Sequence, residues 1–336
     1  MKVWPDDATR GSRRPGSDAA RPAASPPSHG DEIQAIIDAH PQNRGVGGAP
    51  SVGIVGAGPV GLALGLAISR AGWPVTAVAS RDEGRRERFR ALIPGVRAFI
   101  DPISVVDEVE LTILTIPDDA ISDVVASLRL YSGQLLVHTS GLLGAEVLES
   151  ARAAGSQIGA FHPLVSFTLD TELAVAAISG ATIAIEGDDR AIELLADLAE
   201  AIGGIPVRLP PGTKPAYHAA AVLASGGLVA LLDAIVALGA VAGMDEAGAL
   251  AVYGRLIEQT MANARALGVR AALTGPISRG DSDTLKAHVA ALQRFAPDVV
   301  ELYLAVARRE LRLVDERGVL SPIQFERVLA ALAKPA

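Results

Sequence analysis

The sequence predicts an α/β fold: a doubly wound, mostly parallel sheet followed by a second, all-helical C-terminal domain. Three observations carry that expectation. Between Ser51 and Leu209, short apolar runs alternate with helical stretches, the pattern of a sheet covered by helices on both faces. Gly56-Ala-Gly58-Pro-Val-Gly61 joins the first of these runs to the first helix with the spacing of a Rossmann dinucleotide-binding turn. From Lys214 onward strand signals cease, and helical patterning continues to the C-terminal end.

Taken in order, Ser51–Val55 is a short apolar strand, Leu62–Ala71 an amphipathic helix, and Val75–Ala79 a second strand that closes the unit. Glu83–Leu92 reads as a helix. Leu111-Thr-Ile-Leu-Thr-Ile116 is a continuous aliphatic and β-branched run, the mark of a strand buried on both faces, and Pro117-Asp118-Asp119 ends it. Ala120–Leu128 is helical, and Leu135-Leu-Val-His138 is another buried strand, followed by Thr139-Ser140-Gly141. Gln157–Phe161, Ala181–Ile185 and Pro206–Leu209 supply three more strands, with Arg190–Ile202 a helix before the last. Helices are expected over 214–243, 245–268, 282–294 and 297–317, with a final one after Pro322, and their runs of Ala and Gly permit close contact. Residues 1–30 mix Pro5, Pro15, Pro22, Pro26 and Pro27 with Arg, Ser, Asp and Gly and should be disordered. A short helix at Asp31–His40 and a linker at Gln42–Pro50 follow. The domain limits are therefore 1–49 for the extension, 50–210 for the nucleotide-binding sheet and 211–336 for the helical substrate and dimerisation domain.

The glycine turn solves one physical problem, the approach of a pyrophosphate to backbone. Gly56 allows the tight turn, Gly58 lets the main chain come close to phosphate, and Gly61 lets helix and strand pack together. Pro59 and Val60 open the helix, whose unpaired N–H groups and dipole favour negative charge. About twenty residues further on, an NAD site presents an acid to the ribose. Here the second strand ends Ala79-Ser80-Arg81, with Asp82 and Glu83 past its tip. Ser80 and the planar Arg81 guanidinium suit a 2′-phosphate, with Arg85 and Arg86 either adding to that pocket or solvating a helix start. The expected cofactor is NADP(H). Ligands of such sheets lie outside the carboxyl ends of the strands. That places Ile116, Pro117 and His138 beside the cofactor.

Composition excludes several alternatives. With 336 residues the chain suits two domains, and 38 acidic against 30 basic residues give a net charge of −8, with no basic face for nucleic acid. Without cysteine there are no disulfides, no thiolate catalysis and no cysteine-ligated zinc. Six histidines are scattered without HxxxH or HxxEH spacing, so no metal is implied. The N-terminus lacks the apolar segment of a secretory signal, and a cytoplasmic location is expected. Ala219–Met244 is almost wholly apolar but is built from Ala and Gly around Ser225 and Asp233. It reads as the buried helix of a soluble protein, not as a membrane span.

Four strings, taken with the glycine turn, point to a family: His138-Thr-Ser-Gly141, Phe161-His-Pro-Leu164, Lys214-Pro-Ala-Tyr-His-Ala-Ala-Ala221 and Leu273-Thr-Gly-Pro-Ile-Ser-Arg-Gly-Asp281. Over roughly residues 50 to 320 the chain resembles Rossmann-like reductases whose helical second domain is a domain of unknown function. That family is similar in turn to ketopantoate reductase and, more remotely, to pyrroline-5-carboxylate reductase and 6-phosphogluconate dehydrogenase. The resemblance implies an NADP domain, a helical C-terminal domain and a homodimer through the helices. One departure stands out: relatives often read Ala-Ser-Asn where this chain reads Ala224-Ser225-Gly226. An amide that binds substrate is then missing, and Ser225 is its candidate replacement.

Reduction needs a hydride from the cofactor and a proton from the protein. Lys214 and His218 lie four apart, on one face of a helix that begins after the last strand. Either can donate the proton, and the resemblance favours Lys214, because related reductases place a lysine at the start of this helix. His138 and His162, both at strand ends beside the expected nicotinamide, either act there, His162 as a third candidate, or are histidines that fix loop geometry. Ser140 and the Gly141 amide are placed to hold a carboxylate or carbonyl oxygen. Arg279 is placed to clamp a substrate carboxylate, or else to pair with Asp281 or Asp283. The leading expectation is an NADPH-dependent reductase of a small 2-oxo acid, with 2-dehydropantoate implied by resemblance. The alternatives are an imino-acid reductase, a deazaflavin-linked NADP oxidoreductase and a non-catalytic NADP-binding regulator.

Overall fold

Eight strands form one sheet in the order β3-β2-β1-β4-β5-β6-β7-β8. The strands are β1 (Val52–Val55), β2 (Val75–Ala79), β3 (Arg97–Phe99), β4 (Leu111–Leu114), β5 (Leu135–His138), β6 (Gln157–Pro163), β7 (Thr182–Gly187) and β8 (Ile205–Arg208). The computed structural model describes residues 48–333. The expected disorder over 1–30 and the helix at 31–40 lie outside the described residues. Every neighbouring pair is parallel except β6 and β7, so the mostly parallel, doubly wound expectation holds. Strand β3 was not anticipated. It is three residues long, begins with an exposed Arg97 and has no apolar run to announce it.

Strand side chains alternate between two cores. Leu111, Ile113, Leu135 and Val137 face one layer with α1 (Pro59–Arg70), α6 (Thr171–Ala176) and α7 (Asp189–Ala201). Leu114 and Leu136 face the other, with Ile121, Val125 and Leu148 from α4 (Asp118–Ser127) and the turn leading to α5 (Glu149–Ala153). Helix α2 (Glu83–Leu92) inserts Phe89 into the first core, and α3 (Ile103–Val106) adds Val105 and Val106 at the other face. The central strands β1, β4 and β5 are buried on both sides, which is why they read as unbroken apolar runs.

The second half is helical, as expected: α8 (Lys214–Val222), a π turn at Leu223–Gly227, α9 (Leu228–Val241), α10 (Glu246–Leu267), α11 (Val269–Ala272), α12 (Pro276–Arg279), α13 (Ser282–Phe295), α14 (Val300–Arg317) and α15 (Pro322–Ala331). Its core is separate, built on Ile277, Leu285, Leu292, Leu304, Leu311, Val314 and Val328. Close helix contact through small residues is present: a Cβ added at Gly239 of α9 would lie 2.8 Å from the Ala249 Cβ of α10.

The reading of Ala219–Met244 as a buried helix is corrected. The helical run Lys214–Val241 is long and apolar enough to cross a membrane, yet none of its most apolar window is buried inside the chain. Leu223 is 73% exposed and Val229 64%, and Val252 and Leu256 on α10 are open as well. Helix α9 packs mainly on α10, and α8 contacts chiefly the π turn that follows it, which leaves apolar side chains of this run uncovered.

Candidate active site

A cleft of about 470 Å³ opens at the carboxyl ends of β1, β2 and β4, lined by Gly56, Gly58, Ser80, Arg81, Arg85, Ile116 and Pro117 among others. Gly56 holds a φ of 109°, where a side chain would also press on the Thr115 carbonyl at 2.5 Å. Gly61 lies beneath the turn, and an added Cβ there would overlap the Gly56 carbonyl oxygen. Gly58 is different: an added Cβ would meet only the Arg85 guanidinium at 3.9 Å, so it would stand in the cleft itself. Gly58 is also the N-cap of α1, with no side-chain cap and no acid in the first turn. The first N–H groups of α1 are left for an anion. Pro59 occupies the first helical turn, and Val60 packs on the core beside the turn. These features fit a dinucleotide pyrophosphate.

At the β2 end, Asp82 is spent on structure. Its carboxylate accepts the Arg85 N–H at 2.9 Å and caps α2. Arg86 is spent likewise, donating to the carbonyls of Ser80 at 2.6 Å and Arg81 at 3.1 Å. Arg85 lines the cleft, and the Arg81 guanidinium has no ion-pair partner among the described residues. Ser80 and Arg81 are thus the polar groups open to a 2′-phosphate; Arg85 lines the cleft but its Nε lies 3.8 Å from Asp82 Oδ2, and Arg86 is committed to the loop carbonyls.

The turn after β5 is held from within. His138 is wholly buried; its Nδ1 accepts the Ser140 N–H at 3.2 Å and its Nε2 lies 3.1 Å from the Gly144 carbonyl. Both ring nitrogens are occupied, so His138 clamps the loop and does not reach the cleft where it was expected. Ser140 is also committed: its hydroxyl donates to Asp118 Oδ2 at 2.7 Å and accepts the N–H groups of Leu142 at 3.1 Å and Leu143 at 2.9 Å. The expected direct hold of Ser140 on substrate is therefore replaced by a loop-fastening role. That bond ties the turn after β5 to the turn after β4, which lines the nucleotide cleft. The Gly141 N–H makes no hydrogen bond among the described residues.

Lys214 begins α8 and is 1% exposed, with its ammonium donating to the Ser140 carbonyl at 2.5 Å. Burial pulls its pKa down to about 8, against the opposing attraction of Glu186, Asp118 and Glu146. One turn along, Tyr217 and His218 share its face, and a Cβ on Gly141 would collide with the rings of both His162 and His218. His162 stands edge-on to Tyr217 at 6.0 Å and to His218 at 5.8 Å between ring centroids. His162 Nδ1, Tyr217 Oη and His218 Nδ1 are buried with no hydrogen-bond partner. Such bare polar atoms are costly unless a ligand completes them. Lys214, His162 and His218 are thus brought together as expected, and Tyr217 joins them. Its signal was the i, i+3 spacing from Lys214.

Burial, followed by the Lys214 charge, lowers His138 to about 3 and His162 to about 4, both from 6.5. Protons that the folded chain refuses are taken up by the unfolded chain, so stability is full above about 6.5 and declines as pH falls through that window. Urea unfolding between pH 7 and pH 5 should show losses of up to about 1.4 kcal/mol per pH unit for each imidazole. A flat profile would mean that both rings titrate normally.

Two expected substrate residues lie apart from this cluster. The Ser225 hydroxyl donates to the Ala221 carbonyl at 2.8 Å within the π turn and is exposed. Arg279 is exposed on α12, which packs on α13 and α14, and its charge acts on the nearby Asp281. Asp281 itself caps α13, accepting the Thr284 N–H at 3.1 Å and its hydroxyl at 2.7 Å.

Residues 40–163 match the model of a Rossmann-like domain, and residues 181–310 match that of a domain of unknown function, DUF2520. No curated protein matches the chain. Among solved structures, protein TM1727 from Thermotoga maritima is similar with 25% identity and a TM-score of 0.61, over 79% of this chain and 99% of that one. An imine reductase of Streptomyces aurantiacus is similar with 20% identity and a TM-score of 0.57, over 84% and 100%. The pyrroline carboxylate reductase of Plasmodium falciparum, solved with NADP bound, shows 12% identity and a TM-score of 0.54, over 84% and 98%.

Proposed function

We propose that the chain is an NADP(H)-dependent reductase of a small carbonyl or imine compound, with Lys214 as its proton donor. One observation carries the reading. A buried ammonium holds the Ser140 carbonyl, the His162 and His218 rings flank Gly141 with Tyr217 edge-on to His162, and the Ser140–Asp118 bond links this loop to the cleft that the glycine turn opens. When bound, NADPH supplies the hydride. The N–H groups opening α1 would hold its pyrophosphate, and Ser80 and Arg81, with Arg85 at the cleft wall, would hold the 2′-phosphate. Lys214 gives its proton to the oxygen or nitrogen that gains negative charge as the hydride arrives, while the Gly141 N–H orients the same substrate.

Arg81→Ala should weaken NADPH by about 10- to 100-fold, the worth of charge-assisted hydrogen bonds to a phosphate. NADH affinity should change little. Fluorescence titration with both cofactors checks this, and equal losses would refute the 2′-phosphate assignment.

Two substrate classes follow from different observations. Cyclic imines and imino acids are favoured by the reductases that share this fold. A 2-oxo acid, 2-dehydropantoate among them, is favoured by the Lys214 cation beside the unpaired Gly141 N–H, which together suit a carboxylate. NADPH oxidation against a panel of both classes tests the proposal. Turnover of one class identifies the substrate type, and cofactor binding without turnover of either favours a regulatory protein.

The reading includes a cytoplasmic homodimer formed through α8–α10. Leu223, Val229, Val252 and Leu256 of these helices are exposed, while Lys214 at the start of the run is fastened to the Rossmann half and Asp233 lies in mid-run. A second copy covers such a surface without placing either charge in lipid. Light scattering in detergent-free buffer should give twice the chain mass; a monomer, or protein soluble only in detergent, would refute it.

A further inference from the structure

We propose that Glu186 is the positioning residue that completes the Lys214 site: its carboxyl and the Lys214 ammonium hold opposite ends of one loop, at Ala145 and at Ser140. The inference rests on the reading of Lys214 as proton donor, and it goes beyond that reading by assigning the buried anion. Glu186 sits on β7, 6% exposed, in a strand otherwise built from Thr, Ile and Ala with a closing Gly. One carboxylate oxygen accepts the Ala145 N–H at 3.3 Å, and the other is buried with no partner. Lys214 holds the carbonyl of Ser140, five residues earlier in the same loop. An ammonium has three donors, and this bond uses one. The loop bearing Gly141 is therefore held at its start by a cation and at its end by an anion, each with hydrogen-bonding capacity to spare.

Three carboxyls act on Lys214, namely Glu186, Asp118 and Glu146, and Lys214 in turn acts on His138 and His162. Asp118 is engaged by the Ser140 hydroxyl, and Glu146 is exposed on the 3-10 turn after Gly144. His138 and His162 are neutral near pH 7 and carry no counter-charge. Glu186 is the buried anion of the three, where little solvent screens it. Its own carboxyl is pushed up by burial and by Glu146, and pulled down by the Ala145 amide and by Lys214. The pull is thus mutual. A strand that otherwise contributes only packing gains a stated role at the site.

The chain has four lysines, Lys2, Lys214, Lys286 and Lys334, so ¹³C-lysine NMR resolves the buried one, assigned by its loss in Lys214→Met. Glu186→Gln keeps the acceptor for Ala145 and removes the charge. It should lower the Lys214 titration midpoint by about one pH unit, a tenfold change, with NADPH affinity retained. Glu146→Gln, an exposed anion, should move it much less. An unmoved midpoint in Glu186→Gln, or an equal movement in Glu146→Gln, overturns the proposal. If the midpoint moves while the alkaline limb of kcat/KM stays in place, the Glu186 assignment stands and Lys214 is not the proton donor. Should Glu186→Gln fail to fold, the Lys214→Met/Glu186→Gln double variant should regain thermal stability, because neither charge is then stranded. A double variant as unstable as the single overturns the pairing.

Discussion

Gly58→Val abolishes dinucleotide binding while the protein stays folded. The added Cβ meets no protein atom closer than the Arg85 guanidinium at 3.9 Å, so the side chain enters the space where backbone meets phosphate. An NADPH titration should show a loss of at least about 100-fold, equivalent to roughly 2.7 kcal/mol, with the melting temperature within a few degrees of the parent. Gly61→Ala has the opposite signature. Its single methyl overlaps the Gly56 carbonyl and crowds the Thr115 hydroxyl, so the first helix must shift away from the turn and stability falls. Thermal unfolding beside the titration separates the two. Unchanged NADPH affinity in Gly58→Val would refute the proposed turn.

Lys214→Met removes turnover with cofactor affinity retained. Removing a positioned proton donor costs about 10²- to 10⁴-fold in kcat. Methionine fills much of the same volume, and Glu186, which loses its counter-charge, has a carboxyl already pushed up by burial and takes up a proton instead of remaining a stranded anion. In the parent, Lys214 titrates at about 8, and turnover should fall as pH rises through that value because the acid form is lost. That alkaline limb should disappear in Lys214→Met. A variant that turns over at the parent rate would transfer the role to Tyr217, His162 or His218, which share the pocket.

Much of this site was legible in the residues. Gly56, Gly58 and Gly61 carry their roles in their spacing, because only that spacing joins a strand to a helix around a phosphate. Lys214 and His218 declared a common face by lying four apart. Residues that depend on partners were not legible. His138 and Ser140 stand in the expected turn, yet their hydrogen-bonding groups are consumed by the loop itself, which no local string reveals. Glu186 differs from its apolar strand neighbours, but its link to Lys214 exists only once β7 lies against β6. The exposed run around Leu223 and Val229 was misjudged for a related reason. Composition reports how apolar a helix is, not what covers it.

The bond from the Ser140 hydroxyl to Asp118 has a mechanical consequence. With two further amides on the same oxygen, the exits of β4 and β5 form one stiff rim that cannot gape on either side independently. Lys214 fastens the start of α8 to that same rim through the Ser140 carbonyl, so the turn at Gly212, with a φ of 77°, is pinned two residues beyond its bend. Cutting that bond should loosen the helical half while leaving the rim, and the nucleotide against it, undisturbed.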